Sequence, residues 1–139
     1  MRLIKINENQ IASCSQEVSI KIWDVITGKC LKNLEGHFQD VFCIIKIDGN
    51  KIASHSLDNS IKIWDIIPGN CLQTLDIESS YDNFLIKINI NKIASVSHKN
   101  HIKIWDVTTG KCLKTIYGES YVACLIKRSE EHTSELQSL

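Results

Sequence analysis

The sequence predicts an all-β protein: three consecutive four-stranded antiparallel units plus one further strand, with no helix before residue 128. Three observations carry this expectation. The chain repeats at an offset of 41: Ile11-Ala12-Ser13 returns as Ile52-Ala53-Ser54 and Ile93-Ala94-Ser95, and Ile20-Lys21-Ile22-Trp23-Asp24 returns at 61–65 and 102–106. Turn residues keep the same step, with Gly28, Gly69 and Gly110 each followed two residues later by Cys30, Cys71 and Cys112. Ile is dense throughout, and no segment holds a helical period long enough to compete with strands.

The first strand of the first unit is expected at Arg2 to Ile6. In the central unit, Val41 to Ile47 is an apolar run, followed by Asp48-Gly49-Asn50, a turn with a residue suited to positive φ. Lys51 to Ser56 is the second strand and Leu57-Asp58-Asn59 the next tight connection. Ser60 to Asp65 alternates, so that Ile61 and Ile63 share one face and Lys62 and Trp64 the other. Ile67-Pro68-Gly69-Asn70 turns the chain into a fourth strand, Cys71 to Leu75. The run Val122 to Lys127 matches Val41 to Lys46 and opens a fourth unit.

Composition narrows the function classes. The 139 residues are 43% hydrophobic and 23% charged, which fits a folded globular chain. A formal net charge of +0 argues against a broad cationic surface for nucleic acid. No apolar run approaches the roughly 18 residues of a membrane span, and the opening MRLIKINENQ lacks the apolar core of a secretory signal. The expected location is cytoplasmic, in a reducing compartment.

A period of 41 residues with a Trp-Asp pair closing the third strand of each unit resembles the WD-repeat (WD40) family of β-propellers. Ile-Lys-Ile-Trp-Asp stands in all three copies, Thr-Gly-Lys-Cys-Leu follows in the first and third, and Leu34-Glu35-Gly36-His37 carries the family's Gly-His signature. The resemblance covers residues 2 to about 127. It implies blades around a central channel, the first strand of each innermost and the fourth outermost. It also implies a buried polar network in each blade, which maps onto His37, Ser54, Asp58 and Trp64 in the central one. The first blade has Ser13 and Trp23 but Glu17 at the aspartate position and no preceding histidine; the third has Ser95 and Trp105 but Lys99 for aspartate and Ile77-Glu78 in place of Gly-His.

Ser54, His37 and Asp58 also have the residue types of a hydrolase triad, but that chemistry needs an exposed serine oxygen and an oxyanion hole, and the family's use of these groups is structural. The six cysteines include no Cys-x-x-Cys and fit no zinc template, so they are expected as core thiols, neither metal ligands nor disulfides. His98 and His101 bracket a turn without a third ligand nearby and are read as solvated loop residues. No catalytic residue, cofactor or metal is expected.

Three blades and one strand do not close a ring, so the expectation is an internal piece of a longer propeller, divided at about 1–36, 37–77, 78–118 and 119–127. Residues 128 to 138 share nothing with the repeats and resemble a translated sequencing adapter, so 128–139 is set aside as a non-native polar tail. The resemblance implies a non-catalytic scaffold for protein or peptide partners, bound at the top rim. The rim residues are Asp40, Tyr81 and Tyr121, at equivalent positions before a first strand, with Gln16, Glu17, Phe38, Gln39, Leu57, Asn59, Lys99 and His101 in the same loops. Further blades from the rest of the chain are expected neighbours. The alternative is a repeat module of a larger enzyme or regulator, such as a ubiquitin-ligase substrate receptor or a repeat-bearing kinase or NTPase.

Overall fold

The computed structural model describes residues 2–15, 17–77, 84–96 and 101–117. The expected strand at 122–127 and the tail lie outside these residues. The first sheet comprises β1 (Arg2–Asn7), β2 (Gln10–Cys14), β3 (Ile20–Asp24) and β4 (Cys30–Leu34). The second comprises β5 (Val41–Lys46), β6 (Lys51–Ser56), β7 (Ser60–Asp65) and β8 (Asn70–Asp76), and the third β9 (Leu85–Asn89), β10 (Lys92–Val96), β11 (Ile102–Asp106) and β12 (Cys112–Ile116). Each is an antiparallel meander in chain order, and no helix occurs among the described residues. The first strands stand side by side, β1 next to β5 and β5 next to β9, so each sheet fans outward from its first strand.

Repeated sequence produces repeated local geometry. A bulge falls just before the tryptophan of each third strand, and Trp23, Trp64 and Trp105 then pair with Cys30, Cys71 and Cys112 on the edge strand. The aspartate that follows closes the next turn: Asp24 Oδ1 accepts from the N–H groups of Ile26 and Thr27, Asp65 Oδ1 from Ile67, and Asp106 Oδ1 from Thr108 and Thr109. The glycine four residues on adopts φ of 75°, 78° and 76° in the three units and donates its N–H back to the aspartate carbonyl. In the β5–β6 turn the expected positive φ is absent. Asp48 Oδ1 instead accepts from Asn50 and Lys51 N–H at 2.9 and 3.0 Å, a side-chain-closed turn that needs no left-handed residue. The left-handed position lies one hairpin later, at Asn59 (φ 65°).

The sheets pack face to face, and the tryptophan-bearing faces of the second and third sheets each meet the preceding sheet. Trp64, Ile44, Ile52 and Ile66 pack on Ala12, Ile20, Ile22 and Leu34 of the first sheet. Trp105, Leu85, Ile93 and Val107 pack on Ala53, Ile61, Ile63 and Leu75 of the second. The central sheet is therefore covered on both sides, and β6 is buried at all but its first residue. An outer staple recurs at each junction: Lys32 Nζ donates to the carbonyl of Ile67, and Gln73 Nε2, 41 residues on, donates to that of Thr108 at 2.7 Å.

The cysteines divide in a way the sequence does not announce. Cys14 and Cys43 are buried between sheets, whereas Cys30, Cys71 and Cys112 are exposed, which corrects the expectation of core thiols at that repeat position. They lie at the start of the outermost strand, beyond the reach of the neighbouring sheet, and each thiol instead meets the carbonyl two residues on.

Candidate functional site

The central sheet brings His37, Ser54, Asp58 and Trp64 into one hydrogen-bonded chain. Trp64 Nε1–H donates to Ser54 Oγ at 2.8 Å, and Ser54 Oγ lies 2.6 Å from His37 Nε2. His37 Nδ1 lies 2.8 Å from Asp58 Oδ2. The ionised carboxylate only accepts, so Nδ1 carries the proton and Nε2 takes the serine hydroxyl; the relay runs Trp64 to Ser54 to His37 to Asp58. Asp58 also accepts from Ser60 Oγ at 2.6 Å, Ser60 N–H at 2.9 Å and Phe38 N–H at 3.0 Å. Gly36 lets this loop approach, because a Cβ there would sit 3.2 Å from the Trp64 ring.

Burial holds the His37 imidazole below its ordinary pKa despite the aspartate beside it, which keeps the ring neutral. Burial alone would raise the Asp58 carboxyl, but hydrogen bonds from Ser60, Phe38 N–H and His37 outweigh it and hold the group lower. Serine, histidine and aspartate thus stand in triad order with their bonds already spent inside the sheet. Ser54 is fully buried, and its oxygen is engaged by both the tryptophan and the histidine.

In the outer sheets only the tryptophan–serine pair is present among the described residues, Trp23 to Ser13 at 2.8 Å and Trp105 to Ser95 at 2.9 Å. Glu17 is exposed and makes no side-chain bond to that pair. His101 packs edge-on to Tyr117, ring centroids 4.6 Å apart, while His98 lies outside the described residues. Among the described residues no three His, Cys, Asp or Glu side chains converge as metal ligands.

Of the expected rim residues, Gln16, Tyr81, Lys99 and Tyr121 lie outside the described residues. The structure brings Glu17, Asp40 and Leu57 together at one end of the first two sheets. Val41 N–H donates to the Glu17 carbonyl at 3.0 Å, Leu57 N–H to the Asp40 carbonyl at 3.0 Å, and Ser56 Oγ to the Gln39 carbonyl at 2.9 Å. Three loops are locked into one platform by these bonds. Phe38 and Val18 also stand exposed on it. The sequence signal for Phe38 is its place after Gly-His, where an apolar residue is exposed by the same loop that buries the histidine.

A second exposed region is the tryptophan face of the first sheet. Leu3 is 59% exposed where its counterparts Ile44 and Leu85 are 0% and 2%, and Val25 is 53% exposed where Ile66 and Val107 are 4% and 3%. With Ile11 and Trp23 these residues line a cleft of ≈ 380 Å³.

A family model described as "WD domain, G-beta repeat" (WD40) matches residues 28–65. The nuclear distribution protein PAC1 of Fusarium vanettenii is 55% identical over 29 residues, 21% of this chain and 6% of that protein. Its namesake in Zygosaccharomyces rouxii is 50% identical over 34 residues, 24% of this chain and 8% of that protein. The chain thus matches under a tenth of the length of these relatives. Among solved structures, the computationally designed Ika8 protein superposes with a TM-score of 0.72 at 30% identity, over 81% of this chain and 35% of that one. The WD40 β-propeller domain of Doa1 superposes with a TM-score of 0.66 at 24% identity, over 82% and 38%, a likeness of fold.

Proposed function

We propose that this chain, whose repeats are of the WD40 family and fold as successive propeller blades, is a non-catalytic platform that binds protein or peptide partners through its top rim. The observation that carries the reading is the interlocked rim itself, where backbone hydrogen bonds fix three loops from two blades while Phe38, Leu57 and Val18 remain exposed. A rigid surface with exposed apolar side chains binds without a large ordering cost. The buried Ser54 supports the non-catalytic part of the reading. The five described cysteines form no disulfide with one another, which supports a reducing, intracellular location; among the described residues no helix is long and apolar enough to cross a membrane. Tyr81→Ala with Tyr121→Ala is expected to weaken capture of partners from cell lysate while leaving the melting temperature nearly unchanged. Hydrogen exchange on the captured complexes should show protection in the rim loops; protection confined to the opposite end or the outer strands would reject the rim.

A second role follows from the open face of the first blade. At both internal junctions the corresponding face is covered by another blade, and an outer side chain donates to the turn carbonyl that Ile26 presents here. We propose that a further blade from the same longer chain covers Leu3, Ile11, Trp23 and Val25. Without it, the purified chain is expected to self-associate as concentration rises, since the exposed face is apolar. Sedimentation velocity over a concentration series checks this, and a monomer with a concentration-independent melt would reject it.

A further inference from the structure

We propose that the rim between the first two blades is a docking site for a cationic peptide segment carrying a single large apolar anchor. The proposal rests on the rim reading above and names the chemistry of the partner. Its starting point is apolar exposure: Phe38 is 84% exposed, Leu57 53% and Val18 46%, each in a loop that the hydrogen bonds at Val41, Leu57 and Phe38 tie to its neighbour. An isolated exposed leucine needs no explanation, but three exposed large apolar side chains on loops tied into one platform offer apolar surface to a partner's side chain.

Charge decides which partner fits. The segments 15–19, 36–40 and 56–60 contain three carboxylates, Glu17, Asp40 and Asp58, and no lysine or arginine. Asp58 is committed to His37, Ser60 and the Phe38 N–H, whereas Glu17 and Asp40 have no side-chain partner among the described residues. The guanidinium of Arg2 reaches 4.0 Å from Cys43 Sγ, on the inner strands, and does not bond to either carboxylate. The exposed apolar side chains are therefore accompanied by two carboxylates with no ion-paired cation among the described residues. The lysines nearest these loops stand on β3 and β7, Lys21 lining the same cleft as Glu17 and Lys62 packing against Gly36. An acidic peptide would be repelled from it, and a neutral apolar one would leave both carboxylates unused. Lysine or arginine on either side of one leucine or phenylalanine places its charges over Glu17 and Asp40 while the anchor covers Phe38 and Leu57.

The test is a fluorescence-anisotropy titration of the full chain with a labelled twelve-residue peptide of lysine, glycine and serine around one central phenylalanine. Two control peptides replace the lysines by glutamate or the phenylalanine by serine. Each control is expected to bind at least about tenfold more weakly than the parent. Binding of the parent should weaken between low and physiological salt, because rim charges are screened over about 10 Å. Phe38→Ala with Leu57→Ser, and separately Glu17→Gln with Asp40→Asn, should each lower affinity by roughly tenfold, with only the second pair removing the salt dependence. Equal binding of the glutamate control, or wild-type affinity in both double variants, would overturn the proposal. If the lysate partners protect the rim loops while the lysine peptide does not bind, the cationic assignment alone fails. If nothing protects those loops, the rim reading fails with it.

Discussion

Trp64→Ala is expected to destabilise the fold by about 3–5 kcal/mol, the largest loss of the three tryptophans. Two contributions combine at Trp64: a side chain 1% exposed between two blades, and an indole N–H that starts the relay through Ser54 and His37 to Asp58. The other two tryptophans separate them. Trp105 is nearly as buried, at 5%, but its Ser95 partner leads to no described histidine or aspartate; Trp23 has the same serine pair and stands half-buried on the open face. The expected order of losses is Trp64, then Trp105, then Trp23. The step from Trp23 to Trp105 measures burial, and the step from Trp105 to Trp64 measures the polar groups that truncation strands inside the blade. Urea denaturation of the three alanine variants in one background checks it. Equal losses at 64 and 105 would mean that the relay adds nothing to the packing.

The repeat makes much of this architecture readable from the sequence. Strand number, order and antiparallel pairing follow from Ile-Lys-Ile-Trp-Asp and its flanking turns, because alternation fixes faces and the turn residues fix connections. The meeting of His37, Ser54, Asp58 and Trp64 was legible only through family resemblance, since no local pattern says that residues 37 and 58 approach across a loop. Other features depend on which neighbour covers a face, and the sequence of one unit does not contain that. Cys71 reads like Cys43, a thiol in a strand, yet one is at the outer edge and the other between sheets. Leu3 and Ile44 occupy one repeat position and differ from 59% to 0% exposed. The rim platform was partly visible: Glu17, Phe38, Asp40 and Leu57 follow from loop position, whereas the hydrogen bonds that tie the three loops together needed the backbone.

Stability is expected to fall by about 3 kcal/mol as pH drops from 6.5 to about 4, through His55 alone. The ring is fully buried on the face of β6 toward the third blade, packed against Phe42 with centroids 4.6 Å apart. Neither ring nitrogen has a hydrogen-bond partner among the described residues. Desolvation, with a smaller push from His37 and against a pull from Asp58, lowers its pKa from 6.5 to about 4. Above 6.5 the ring is neutral in both the folded and unfolded chain, and proton binding contributes nothing to the balance. Between 6.5 and 4 the unfolded chain takes up a proton that the folded chain refuses, so stability declines with pH; below 4 both are protonated and the loss levels off. His37, with its pKa also lowered by burial, adds to the decline in the same direction. The repeat supplies a control, because Val96 occupies the equivalent position in the third blade and is buried there without a titrating group. His55→Val is expected to flatten most of the slope between pH 6.5 and 4, whatever it does to stability at pH 7. Urea denaturation of both proteins across that range is the measurement. A slope unchanged in the variant would place the proton uptake elsewhere, with His37 the first residue to substitute.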